Sequence, residues 1–142
     1  MCSDVWTSAL AAVALAALAL AGPAAAARDR AAERAAESAR VAALPTIGEP
    51  RRCMLQRNIQ ETRMVDGHTL LVRESAARWF RVTLPESCPG IGDNRYIVWR
   101  NPTGQTCAGD PFDVIDAVSR ISYGFCNMGA FQQVDKGPLH SR

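Results

Sequence analysis

Residues 78–84 read Arg78-Trp79-Phe80-Arg81-Val82-Thr83-Leu84, and their alternation decides the fold class. Side chains of a strand point to opposite faces in turn, so Phe80, Val82 and Leu84 share one face and Trp79 and Arg81 the other. The apolar set should face a core. Downstream, Pro85 to Asn94 holds Cys88-Pro89-Gly90 and Gly92 and reads as a loop. Arg95 to Arg100 and Gln105 to Ala108 then flank Asn101-Pro102-Thr103-Gly104, a turn with Pro and Gly where turn geometry favours them. Asp110-Pro111 opens a run from Phe112 to Val118, with Phe112, Val114 and Val118 on one face and Asp116 interrupting it. An aromatic stretch from Tyr123 leads to a last strand at Phe131 to Val134.

Upstream, Asp66-Gly67 is a strong hairpin signal between Ile59 to Val65 and Thr69 to Arg73. Met54 to Ile59 reads as either strand or a single helical turn. About six short strands with no period-3.6 amphipathic run predict an all-β domain, either a small barrel or a curled antiparallel sheet.

The organisation around this domain follows from composition. Ala9 to Ala21 is an unbroken apolar run followed by Gly22-Pro23 and Ala24 to Ala27. It is too short to span a bilayer of ~30 Å and fits a secretory signal peptide over residues 1–27, with no stable membrane span after cleavage. Its amino-terminal region carries Asp4 and no Lys or Arg, a departure from the usual pattern. Residues 28–50 form an Ala/Arg/Glu-rich linker, helical over its Ala-rich part or disordered, and Pro45, Gly48 and Pro50 close it. Residues 51–134 are the four-cysteine β domain and 135–142 a polar tail.

The 48% apolar content overstates the core, because much of it lies in the first 44 residues. Residues 45–142 are near the size at which hydrophobic burial barely offsets chain entropy, so cross-links are expected. Cys2 leaves with the signal, and Cys53, Cys88, Cys107 and Cys126 remain as an even set. Four cysteines allow three pairings. Cys88 lies in the loop entering the Arg95 to Arg100 strand and Cys107 on the partner strand beyond the turn at Asn101 to Gly104, and antiparallel β domains often bring their ends together, so Cys88–Cys107 with Cys53–Cys126 is the expected pairing. Cys53–Cys88 with Cys107–Cys126 is second.

Segments Cys53-x5-Ile59, Thr62-Arg63-x-Val65-Asp66, Thr69-Leu70-Leu71, Leu84-Pro85-x-x-Cys88-Pro89-Gly90-Ile91, Thr106-Cys107-x-x-Asp110 and Cys126-x-x-Gly129-x-Phe131 resemble an uncharacterised bacterial family of small exported proteins, a domain of unknown function. The resemblance covers about residues 51–134. It implies location and architecture, and it transfers no active site.

No cofactor is expected. The cysteines lack the close pairs that metal sites use, and His68 and His140 are the only histidines. Asp110, Asp113 and Asp116 have apolar residues between them, unlike a calcium loop; Asp110 is read as closing a turn. The formal charge of +2 comes from 16 basic and 14 acidic residues without a basic stripe, which argues against nucleic acid as a partner. The candidate ligand surface is Trp79, Arg81, Tyr96, Trp99 and Arg100, arginines beside aromatics on sheet faces, suited to an anionic envelope component or a protein. The expected function is therefore an exported, noncatalytic recognition or envelope accessory module, periplasmic or secreted. The alternative is a small secreted hydrolase or enzyme inhibitor with a site built from loops.

Overall fold

The computed structural model describes residues 23–136. One helix, α1 (Pro23–Ala42), precedes nine strands among these residues: β1 (Cys53–Leu55), β2 (Glu61–Asp66), β3 (Thr69–Arg73), β4 (Trp79–Thr83), β5 (Arg95–Trp99), β6 (Gln105–Cys107), β7 (Pro111–Asp116), β8 (Ser122–Asn127) and β9 (Phe131–Val134). The expected signal peptide over 1–27 falls largely outside the described residues, as does most of the expected tail. The chain divides into two units, residues 1–35 and 36–142. In the described part of the first, the side chains of residues 24–35 are exposed.

Three antiparallel sheets form within the second unit, in the orders β2-β3-β4-β9, β5-β7-β8 and β1-β6. None closes into a barrel, so that expectation is corrected: β4 bonds on to β9 and β5 to β7, leaving separate sheets instead of one continuous ladder. Asp66-Gly67 makes the β2–β3 hairpin as expected, with the Asp66 carboxylate accepting from the His68 backbone N–H.

Between the four- and three-stranded sheets lies the main core, where Leu70, Val72, Phe80 and Val82 meet Phe112, Val114, Met128 and Phe131. Each fully buried large side chain contributes about 1.5–3 kcal/mol. Trp99 faces this core and meets Phe112 edge-on, ring centroids 6.4 Å apart. Gly129 is required where the chain enters β9, because a Cβ there would overlap the Thr83 carbonyl. On its other face the four-stranded sheet carries a second cluster of Leu71, Trp79 and Val134 under Val41 of α1, with Leu44 and Val65 at its margin. Residues 45–51 run along the edge of β9 through bridges Thr46 to Val134 and Arg51 to Phe131.

All four cysteines expected to pair do so, but the partners differ from both pairings considered. The bonds are Cys53–Cys107 and Cys88–Cys126. The turn at Asn101 to Gly104 does not join two paired strands. It sends the chain from β5 to β6, which pairs with β1 and sets Cys107 opposite Cys53. Cys126 lies opposite Phe112 on the core side of β8, where Cys88 is buried. The two ends of the β domain do approach each other, but at 46–51 and 131–134, outside Cys53 and Cys126. The loops closed, with separations of 54 and 38 residues, are each worth about 4 kcal/mol in the chain-entropy account.

Candidate functional site

The five expected surface residues do not gather on one face. Trp79 is 7% exposed, packed beneath the end of α1, with the Lys136 ammonium 3.4 Å from its ring centroid and Arg73 5.8 Å from it. Burial pushes the Lys136 amine below its ordinary pKa. Arg81 shares this face and donates to the carbonyls of Val41 (3.0 Å), which also accepts the Leu44 N–H, and Ala42 (2.6 Å), both at the helix end. Glu37 pairs with Arg63 at 2.6 Å, and Ser38 Oγ donates to Asp66. Here the arginines hold a helix end. Trp99 points inward, as described above.

Tyr96 and Arg100 project from the other side of β5, onto the outer face of the three-stranded sheet. In the β5–β7 register Ile97 opposes Val114 and Trp99 opposes Phe112 on the core side, which leaves Tyr96, Val98, Asp113 and Ile115 facing outward. Asp113 is opposed in turn by Phe125 of β8. Tyr96, Val98 and Phe125 are all exposed, Phe125 to 61%.

The polar groups of this face are oriented by one another. Arg100 donates from Nε and Nη2 to the two carboxylate oxygens of Asp113, at 2.7 and 2.6 Å, in a planar two-bond pair. Its guanidinium stands 5.5 Å from the Phe125 ring centroid. Hydrogen bonds from Arg100 hold the Asp113 carboxyl below its ordinary pKa, and the same contacts raise that of Arg100. At the β7–β8 hairpin, Asp116 accepts the backbone N–H groups of Val118 and Ser119, which lower its pKa. Arg120, at φ 61°, then reaches back to donate to Tyr96 Oη at 3.2 Å. Val118 and Ile121 are exposed beside it.

Tyr123 and Phe125 are two residues apart yet stack under different arginines. A register shift between Asp113 and Ile115, with Gly124 at φ 99°, separates them. Tyr123 lies 3.6 Å from the Arg95 guanidinium, which also donates to the Gly90 carbonyl, while Phe125 joins Arg100. Sequence reasoning missed Phe125, because Tyr123 to Phe131 read as an approach to the last strand, and it missed Val98 and Arg120, because it sought arginines beside aromatics within strands. Phe125 beside Cys126, an outward aromatic next to an inward cysteine, was the available signal of a strand.

Among the described residues no group of three or more His, Cys, Asp or Glu side chains is placed to hold a metal ion. Asp110 closes a turn, accepting from Asn101 Nδ2 at 2.9 Å and the Cys107 N–H at 2.8 Å. No described helix is long and apolar enough to cross a membrane.

No curated protein and no solved structure matches the chain. The family model described as a family of unknown function, DUF6491, matches residues 6–140, an extent that takes in the described helix, all three sheets and both disulfides, and the chain belongs to that family.

Proposed function

We infer that the protein is an exported, noncatalytic recognition module that binds an anionic glycan of the cell envelope on the outer face of the β5-β7-β8 sheet. The observation that carries this reading is the exposure of Tyr96, Val98 and Phe125 on one sheet face with Arg100 fixed beside Phe125. A solvated face of an antiparallel sheet ordinarily carries polar side chains, so exposed rings at this position mark a surface with a use. Exposed rings stack on the apolar faces of sugars, Arg120 supplies positive charge to acidic substituents, and Arg100, its charge offset by Asp113, offers the guanidinium hydrogens that Asp113 does not take. The footprint also favours a linear oligomer over a protein: three strands of about five residues cover roughly 250 Å², well short of the about 800 Å² per partner of a stable protein interface. Export is supported by the apolar run Ala9 to Ala21 and by two disulfides in so small a domain.

The test is calorimetric titration of the full chain with uronic-acid oligosaccharides and with neutral oligosaccharides of equal length. Binding of the acidic series, at least tenfold weakened by Phe125→Ala and by Arg100→Ala, is expected. Equal binding of both series, or variants that bind as the parent does, overturns the reading.

A further inference from the structure

The two disulfides occupy unequal places in the fold. Cys88 is 1% exposed and belongs to the main core, and Cys126, itself half-buried, packs against the same cluster. Both ends of the Cys53–Cys107 bond are half-buried, and neither cysteine belongs to a core cluster. This second bond joins directly opposed residues of the smallest sheet, whose ladder has only three residue pairs, Cys53 to Cys107, Met54 to Thr106 and Leu55 to Gln105. A two-stranded ribbon of this length is marginal by itself. Beyond the ladder it is continued by the Gln56 N–H to the Gly104 carbonyl and the Ala108 N–H to the Arg52 carbonyl.

We propose that Cys53–Cys107 is a redox-operated clasp: a dithiol reductant opens it selectively and loosens the β1-β6 ribbon while Cys88–Cys126 keeps the two larger sheets together. A thiolate of the reductant attacks one sulfur of the bond, forming a mixed disulfide and releasing the other cysteine. The second thiol of the reductant resolves the mixed disulfide. Two electrons and two protons pass to Cys53 and Cys107, and the reductant leaves as its own disulfide. Access governs this exchange, which places the bond with both ends outside the core clusters ahead of the one with Cys88 buried and Cys126 packed on the core.

Opening acts on a defined segment. Residues 101–110 carry the chain from β5 through β6 to β7, and they are anchored by Cys107 and by the Asp110 carboxylate holding Asn101 and the Cys107 N–H. Loss of the clasp leaves that connection held by the carboxylate, by Gln56 Nε2 on the Asn101 and Gln105 carbonyls, by backbone bonds between Gly109, Asp110 and Met128, and through β1 by Met54, which is inserted in the core. The remainder keeps its own ladders and its own cross-link, so release is a local opening. The device is independent of what the open sheet face binds.

Graded dithiothreitol applied to the folded full chain, followed by alkylation and peptide mapping, tests this. Cys53 and Cys107 should be alkylated at a concentration at least tenfold below that required for Cys88 and Cys126. Hydrogen exchange of the two-thiol form should show at least tenfold lower protection in β1 and β6, with β3, β4, β7 and β9 unchanged. Labelling of all four cysteines together, or of Cys88 and Cys126 first, overturns the proposal. The double variant Cys53→Ser/Cys107→Ser should show the same exchange pattern without reductant; a variant that loses protection in every strand overturns it as well.

Discussion

The four-stranded and three-stranded sheets share one core but differ in how they are finished. The first is covered on both faces, by the main core on one side and by Val41 and its neighbours on the other, and residues 45–51 cover its β9 edge. Among the described residues the second is covered on one face only, and beyond β5 and β8 it pairs with no further strand. The sequences differ accordingly. Leu70-Leu71-Val72 is a continuous buried run, as two-sided burial demands, whereas β5 alternates half-buried and exposed residues. Yet the exposed positions of β5 are Tyr96 and Val98, and those of β8 include Tyr123 and Phe125 beside Ser122 and Gly124. In the covered sheet aromatic and arginine side chains are spent on stability; in the open sheet the same residue types remain at the surface.

The sharpest way to break this comparison is to truncate one large aromatic in each sheet. Trp79→Ala should cost about 3–5 kcal/mol, because the cavity lies under the helix end between Arg73 and Lys136. Phe125→Ala should change stability by no more than about 0.5 kcal/mol, because its ring is already largely in water. Urea denaturation of the two variants measures both. A Phe125→Ala variant as damaged as Trp79→Ala would mean that the outer face is held by packing.

The arginines give a smaller contrast. Arg81→Ala removes two charge-assisted hydrogen bonds to the carbonyls of Val41 and Ala42 and should cost about 1–3 kcal/mol. It should also raise hydrogen exchange in the last turn of α1. Arg100→Ala should leave the melting temperature within about two degrees of the parent, since its pair with Asp113 is solvent-exposed. Equal losses in thermal scans would erase the distinction between an arginine that caps a helix and one held ready on a surface.

These outcomes also bear on what the residues disclosed before the structure. Local signals were legible: Asp66-Gly67 placed the hairpin, and the alternation in 78–84 put Phe80 and Val82 on the core face. Period two shows which residues share a face but not what covers that face. Trp79 and Arg81 therefore looked as available as Tyr96 and Arg100, and the helix end that covers them brings only Val41 and the following Leu44 as large apolar side chains, too narrow a stripe to announce itself. Strand pairing is non-local. The turn at Asn101 to Gly104 suggested a hairpin, but β6 found β1, and both disulfides followed that choice. Ser122 to Asn127 was not assigned as a strand, because Gly124 and a register shift break its alternation, and Met54 to Ile59, open between strand and helical turn, is divided between the end of β1 and a 3-10 turn at Gln56–Asn58.

The smallest expected difference is acid sensitivity. Burial pushes the Asp66 carboxyl up, but hydrogen bonds from Ser38, the His68 backbone and Thr69 outweigh it and hold the pKa below its ordinary value. A carboxyl lowered in the folded state binds protons more weakly there than in the unfolded chain. Its contribution is therefore fully present above the unfolded value of about 4 and is lost as pH falls through the folded value. Asp113 follows the same sign through Arg100, but on the open face, where water competes for both partners. Denaturant midpoints measured from pH 6 down to pH 2.5 should show the parent weakening below about pH 4. Asp66→Asn should flatten that fall, by at most about 1 kcal/mol after solvent screening, and Asp113→Asn should flatten it less. The reverse order would place the stronger electrostatic tie on the open sheet and remove the physical reason for treating its Arg100–Asp113 pair as available to a ligand.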